Sequence, residues 1–231
     1  MSQFTGQKRA AYIQNMFTHI ARRYDLMNRL MTAGQDIHWR KQVIQLARLT
    51  DDSCLLDIGT GTGDLAREAL TQYPRSKAIA ADFTPEMMRV GQKRGALSFS
   101  AADALHLPFG DSTFDAVVSG FLMRNVIDLP KALQEQYRVL QNGGRIVVLD
   151  TTRPKKNILS PFIWLHMHFL IPTLGRLLAG TSDAYRYLPE STEEYLTAEE
   201  LAAELASARF TNVNYRRTMF GTIAIHWGEK H

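Results

Sequence analysis

Apolar residues recur at three- and four-residue steps near the start of the chain. Ile13, Met16, Phe17, Ile20, Tyr24 and Met27 fall on one helical stripe, and a stripe of that kind packs against something. Gly34 breaks the pattern, and Trp39, Val43, Leu46 and Ala47 start a second helix. From residue 53 the pattern changes. Short aliphatic runs predict strands over 53–58, 77–81, 97–101, 114–119 and 144–150, with helices over 64–73, 85–94 and 129–140 between them. Thr84-Pro85 and Pro130 mark helix starts. Gly143-Gly144 predicts the end of the helix before it and the turn into the next strand. Alternation of this kind predicts an α/β fold with a doubly wound parallel sheet.

Residues 158–180 interrupt the alternation. The stretch is apolar and nearly long enough to span a bilayer, but Pro161, Pro172, His166, His168 and Arg176 argue against spanning. A helical cover over an apolar pocket fits better. Thr197 and Glu200 form a capping-box pattern that opens a helix to about Ala208. Strands near 212–217 and 222–227 follow, with Gly221 in the turn between them. The expected organisation is one domain: a helical layer over 1–50, a ligand-binding core over 51–150, a cover over 151–196, and a closing helix and hairpin over 197–231.

The first strand runs into a glycine-rich turn, Asp57-Ile58-Gly59-Thr60-Gly61-Thr62-Gly63-Asp64. A buried strand ending in such a turn brings bare backbone close to a nucleotide-like ligand. Asp82 ends the second strand at the spacing expected of a carboxylate that holds ribose hydroxyls. A dinucleotide site wants a third glycine where Asp64 stands, and a carboxylate there would repel a pyrophosphate. S-adenosylmethionine carries a sulfonium and an ammonium instead, so acids near the turn suit it. Asp64 thus disfavours an oxidoreductase.

Composition narrows the setting. The 231 residues are 45% hydrophobic and 22% charged, which suits one domain with a proper core. The single cysteine, Cys54, cannot form an internal disulfide, and no leader pattern opens the chain, so a cytoplasmic enzyme is expected. The net charge of +4 is local: residues 1–48 hold eight basic residues against Asp25 and Asp36. Such a layer could face an anionic membrane, RNA or only solvent. No H-E-x-x-H is present, and His166 and His168 do not share a helix face, so no metal is expected.

Several stretches together resemble the ubiquinone/menaquinone biosynthesis C-methyltransferase family. They include Arg23-Tyr24-Asp25-Leu26-Met27-Asn28, Gln35-Asp36-Ile37-His38-Trp39-Arg40, the glycine turn, and Ala102-Asp103-Ala104-Leu105-His106-Leu107-Pro108-Phe109. Arg124-Asn125-Val126, Tyr185-Arg186-Tyr187-Leu188-Pro189-Glu190-Ser191 and the tail from Ala224 complete the match. The resemblance implies a Rossmann-like seven-stranded methyltransferase sheet, mostly parallel with a closing antiparallel hairpin. It implies transfer of a methyl group from S-adenosylmethionine to a ring carbon of a polyprenylated quinol precursor. Thr62, Asp82, Asp103 and Ala104 match the family's cofactor contacts, and Asp57, Gly59, Gly61, Gly63 and Ser119 join them as cofactor-binding candidates. Three departures stand out. Gly120 lacks a hydroxyl the family usually carries there, with Ser119 adjacent, Leu122 replaces a glycine, and Asp150-Thr151-Thr152 stands after the fifth strand where the family favours Glu-Phe-Ser.

A ring carbon becomes a nucleophile only when an adjacent hydroxyl loses its proton. Arg124, just after the fourth strand, is the candidate that stabilises the developing phenolate. Its guanidinium is too weakly acidic to act as a simple base. Asn125 is the candidate that orients a water or the ring oxygen. The alternative for Arg124 is an ordinary salt bridge with an acid such as Asp128. His38, His106, His166 and His226 are further proton-acceptor candidates. Tyr24, Phe121, Phe162, Trp164, Tyr185 and Tyr187 are expected to hold the substrate, with core packing as the bland alternative. The expected partners are the polyprenylated quinol, the inner face of the cytoplasmic membrane as a peripheral contact, and a second copy in a homodimer, but no nucleic acid. Three other readings stay open: an RNA methyltransferase, a methyltransferase for another phenolic lipid, and a non-catalytic scaffold of a quinone-synthesis assembly.

Overall fold

The computed structural model describes residues 5–153, 160–165, 168, 169, 173, 187 and 191–231, without the side chains of residues 160, 162 and 163. The predicted strands form one seven-stranded sheet. They are β1 (Cys54–Ile58), β2 (Lys77–Asp82), β3 (Ser98–Ala101), β4 (Phe114–Gly120), β5 (Leu140–Thr151), β6 (Thr211–Thr218) and β7 (Ile223–Glu229). Their order is β3-β2-β1-β4-β5-β7-β6. β1 to β5 pair in parallel, and β7 runs antiparallel to both β5 and β6. The order reverses between β1 and β4, and in open α/β sheets that switch point is where ligands settle.

The helices are α1 (Gly6–Ile20), α2 (Tyr24–Met31), α3 (Gln35–Ala47), α4 (Asp64–Gln72), α5 (Pro85–Gln92), α6 (Leu129–Val139), α7 (Ser160–Leu165) and α8 (Ala198–Ser207). Strand alternation splits the core between the two faces of the sheet. Leu56, Ile58, Val117, Ile146 and Val148 meet α6 and α8. Leu55, Ala116, Val118, Val147 and Leu149 meet α3 and α4, with Trp39, Val43 and Ile44 fully buried among them. The Thr197 box is formed: its backbone N–H donates to Glu200 at 2.7 Å, and Glu200 N–H donates to its hydroxyl at 3.2 Å. Asp128 caps α6 by accepting from Lys131 N–H at 3.0 Å, ahead of Pro130.

Three expectations change. The N-terminal stripe is two helices, because the chain turns at 21–23, well before Gly34. Its residues serve two partners: Ile13 and Phe17 line the cleft described below, while Ile20, Met27 and Met31 form a separate small core. Gly143-Gly144 do not end a helix. α6 stops at Val139, and both glycines lie inside β5, where Leu140 pairs with Phe114 and Arg145 with Ala116. The extra residues bulge out. Gly143 takes φ +80°, and a Cβ on Gly144 would stand 2.8 Å from the Gln141 carbonyl oxygen. Thr84 sits at the start of α5 but makes no side-chain bond to the helix.

Candidate functional site

The cleft opens at the carboxyl ends of β1, β2 and β4 and spans about 850 Å³ including its open mouth. Gly59, Gly61 and Asp82 line one side, with Asp103 and Ala104 beyond them. Phe121, Leu122, Asn125, Val126 and Ile127, from the loop after β4, also line the cleft, with Leu122 packed against Gly59. α1 lies across the opening through Ala10, Ile13, Gln14 and Phe17. Its ties include Arg9, which donates to the Arg124 carbonyl at 3.0 Å, and Gln14, which donates to the Phe83 carbonyl at 2.7 Å.

The glycine turn is held by acids on either side. Asp82 accepts from Gly61 N–H and from Thr84 N–H, each at 2.7 Å. Burial pushes its pKa up, and those backbone bonds pull it back. Asp57 accepts from the Thr60 hydroxyl and from Ala66 N–H at 3.0 Å, so it both closes the turn and caps α4. Its complete burial raises its pKa to about 7. A Cβ on Gly59 would lie 2.8 Å from the Leu122 side chain. The bulk that Leu122 adds to the loop is therefore seated against the bare backbone of the turn.

Arg124 is buried, and its guanidinium is paired with Asp150 at the end of β5. The Arg124 backbone N–H also donates to Asp150, at 3.2 Å. Its partner is thus not Asp128. The guanidinium stands 5.3 Å from the centre of the Phe121 ring, and its Nε is buried without an acceptor. Burial works against the charge, but Asp150, Tyr24 and Tyr187 outweigh it and hold the pKa above its ordinary value. Asn125 uses both ends of its amide: Nδ2 donates to the Phe121 carbonyl at 2.9 Å, and Oδ1 accepts from the Tyr187 hydroxyl at 2.6 Å.

Other candidates are placed differently. Thr62 and Asp57 line a second cavity behind the glycine turn, and Tyr24 and Phe121 line both cavities. Gly63 faces Leu97 and Phe99 at φ +91° and lines neither. Ser119 shares the sheet face of Val117, so its buried hydroxyl points into the core on the α6 side, without a partner. Trp164 is 56% exposed and stacks on His168, outside the cleft lining. Phe162's side chain, Tyr185 and His166 lie outside the described residues. His106 is exposed, His38 bonds Gln42, and His226 is buried against the Ala198 carbonyl at 2.9 Å, so none of the three lines the cleft.

The charge argument from Asp64 needs correction. Its carboxylate is paired with Arg40 at 2.7 Å and Arg94 at 2.8 Å, guanidiniums from distant parts of the sequence. The acid is neutralised, so it does not by itself repel a phosphate.

Comparison with known proteins decides the class. The ubiE/COQ5 methyltransferase family matches residues 4–230. The chain belongs to this family. It is 46% identical over 221 residues to the ubiquinone/menaquinone biosynthesis C-methyltransferase of Desulfotalea psychrophila, covering 94% of this chain and 90% of that one. It is 42% identical over 220 residues to the demethylmenaquinone methyltransferase of Thermus thermophilus, covering 93% and 100%. Among solved structures, a S-adenosylmethionine-dependent methyltransferase of Thermotoga maritima superposes with a TM-score of 0.67 at 18% identity, covering 94% of this chain and 99% of that one. A phosphoethanolamine N-methyltransferase of Haemonchus contortus, bound to S-adenosylmethionine, gives 0.64 at 13% identity, covering 84% and 52%. These last two likenesses show the seven-stranded methyltransferase fold. As a member of the ubiE/COQ5 family the chain is a S-adenosylmethionine-dependent C-methyltransferase of quinone biosynthesis, and the RNA methyltransferase and scaffold readings are not favoured.

Asp150 is the partner of Arg124 that sequence reading missed: it stood only as a departure at the end of β5, and the pairing depends on the adjacency of β4 and β5. Asn28 and Arg40, which line the second cavity, fell inside the family-like blocks, but no local pattern shows which way their side chains turn. Among the described residues no helix is long and apolar enough to cross a membrane, and no group of three His, Cys, Asp or Glu could hold a metal ion.

Proposed function

We propose that this family member transfers the methyl group of S-adenosylmethionine to a ring carbon of a polyprenylated quinol, with demethylmenaquinol as the first substrate and the benzoquinol precursor of ubiquinone as the second. One observation carries the reading. A single cleft joins a nucleoside-type wall, Gly59, Gly61, Asp82 and Asp103, to an apolar wall, Phe17, Phe121, Leu122 and Ile127. A methyl donor and an apolar ring can therefore share one space. The names of the curated relatives support the substrate class.

The residues fit the cofactor. Gly59 and Gly61 line the cleft, with Leu122 packed on the first, Asp82 stands where ribose hydroxyls would be held, and Asp57, in the second cavity, keeps a buried oxygen without a partner. When bound, S-adenosylmethionine supplies a methyl group activated by its sulfonium. The protein's task is alignment and charge. Alignment of two substrates contributes about 7–11 kcal/mol in the best cases. Arg124 is paired with Asp150 and stands outside the lining of both cavities; the Nε–H that the pair leaves without an acceptor is the donor that stabilises the phenolate as the quinol hydroxyl loses its proton. Asn125 fixes Tyr187 against the loop, and α1 keeps water from the ring.

A seat on the inner face of the cytoplasmic membrane is part of the proposal. Leu26, Leu30 and Ile37 are exposed on α2 and α3, near the exposed Arg22, Arg23 and Arg29. Basic and apolar groups together suit an anionic lipid surface.

The test is incubation of the purified chain with methyl-labelled S-adenosylmethionine and each demethylated quinol in detergent micelles. Label on the ring carbon of one or both is expected. No transfer to either quinol, with the cofactor bound, would overturn the reading. Quinone profiling of a deletion strain rescued by this gene would identify the ring used in the cell.

A further inference from the structure

The two cavities meet at the glycine turn. Tyr24, Gly59, Gly61, Gly120 and Phe121 line both, while Leu122 lines only the first and sits at the seam. A Cβ on Gly59 would stand 2.8 Å from Leu122 Cδ1 and 3.0 Å from its Cβ and Cδ2, so the side chain rests along its length on the turn. The backbone is held there. Phe121 N–H donates to the Leu149 carbonyl at 2.7 Å, and Asn125 N–H donates to the Leu122 carbonyl at 2.8 Å. Asn125 Nδ2 closes the loop on the Phe121 carbonyl at 2.9 Å. Phe121 takes φ +60°, the left-handed region that a bulky residue enters only when its surroundings impose it. Leu122 itself has an ordinary φ of −97°. Its side chain is thus a wall on a fixed backbone.

That wall stands beside the point of transfer. An acceptor carbon reacts from about 3–3.5 Å away from the methyl it receives, so a ring that meets a donor on the glycine turn also meets Leu122. The surroundings say what kind of ring is favoured. Phe17, Leu105, Val126 and Ile127 line the same cleft. Two polar side chains of that lining are already engaged: Asn125 with Phe121 and Tyr187, and Gln14 with the Phe83 carbonyl. A ring substituent that carries an oxygen therefore gives up its bond to water for a branched alkyl group and gains little in return. A fused hydrocarbon ring makes no such exchange, and its burial against Leu122 is favourable.

We propose that Leu122 determines which acceptor ring this enzyme uses: seated on Gly59, it forms the surface on which the ring lies, and it selects a fused bicyclic quinol over a monocyclic quinol that carries an alkoxy group. This rests on the quinol reading above and deepens it, because it gives the order of the two substrates a cause in one side chain. A single methylene in an apolar site changes discrimination by roughly 10- to 200-fold, so one leucine is large enough to set that order.

Methyl-transfer kinetics with two acceptors of equal short prenyl tail test this: a naphthoquinol, and a benzoquinol that carries one methoxy group. The wild type is expected to give the higher kcat/KM with the naphthoquinol. Leu122→Ala should lower the ratio of the two kcat/KM values by roughly 10-fold or more, with S-adenosylhomocysteine affinity within a few-fold of wild type. Leu122→Val removes one methylene and should move the ratio the same way by less, which keeps the test open if Leu122→Ala folds poorly. An unchanged or raised ratio in either folded variant, a defect confined to S-adenosylhomocysteine binding, or a wild type that prefers the methoxy ring overturns the assignment while leaving the quinol reading intact. Transfer to neither ring by the wild type, with the cofactor bound, overturns the quinol reading and this proposal with it.

Discussion

Arg124 and Asp150 form a buried ion pair across the carboxyl ends of β4 and β5. The same carboxylate receives the Arg124 backbone N–H and Thr151 N–H, at 3.2 Å and 2.7 Å. One acid thus fixes both the charge and the backbone of the loop that walls the cleft. A guanidinium so held cannot wander, which is what stabilising a charge that appears only during reaction requires.

Arg124→Lys should therefore be a catalytic defect with near-normal cofactor affinity. Lysine keeps a positive charge beside Asp150 but loses the planar fork. A fall in kcat of roughly 100-fold or more is expected, the scale seen when one such donor is removed. Higher pH should partly restore the rate, because hydroxide can then ionise the quinol. A wild-type kcat, or a defect confined to cofactor binding, would remove Arg124 from the chemistry.

Asp82→Ala should weaken S-adenosylhomocysteine binding by roughly 1–3 kcal/mol, since a charged acceptor is lost. The structure adds a second expectation. Asp82 also anchors Gly61 and Thr84, so amide exchange of the 59–63 turn should speed up in the variant. Calorimetry and hydrogen exchange measure the two effects separately.

Deleting residues 1–20 removes α1 and its ties from Arg9 and Gln14 while leaving α2, α3 and the sheet. Turnover should fall steeply as water gains access to the ring. S-adenosylhomocysteine should still bind within a few-fold of wild type, because Gly59, Gly61, Asp82 and Asp103 remain. Kinetics equal to those of the full chain would show that α1 does not serve the reaction.

Glu135 links stability to pH. It accepts from Arg138 at 2.8 Å and from Leu107 N–H at 2.8 Å, tying α6 to the loop that carries Asp103 and Ala104. The Arg138 bond, aided by Leu107 N–H and opposed by burial, holds its pKa down at about 2, below its ordinary 4.5. A depressed carboxylate stabilises the fold above its unfolded pKa and loses that contribution as pH falls through the folded one. Wild type should therefore melt higher than Glu135→Gln at pH 6. The gap should close between about pH 4.5 and pH 2. Parallel melting curves across that range would show that the ionised carboxylate contributes nothing.

Much of the architecture was legible in the residue order because its causes are local. A run of aliphatic residues, a capping box at Thr197 or a proline after Asp128 acts within a few positions. The β1 turn and Asp82 were legible for a similar reason, since a βαβ unit brings them together at a nearly fixed spacing. The tertiary structure decided everything that depends on which way a side chain turns and what stands opposite. Ser119 stood among the cofactor candidates, but its hydroxyl is buried and it lines neither cavity. Gly143-Gly144 read as a helix stop, yet pairing with β4 absorbs them as a bulge. Asp64 read as a bare charge, until chain folding brought Arg40 and Arg94 to it. Arg124 found Asp150, not the nearer Asp128, because β4 and β5 are sheet neighbours. Periodicity sets where an element lies and which face it buries. Only the packed sheet, with its order and register, selects the partner of each buried charge.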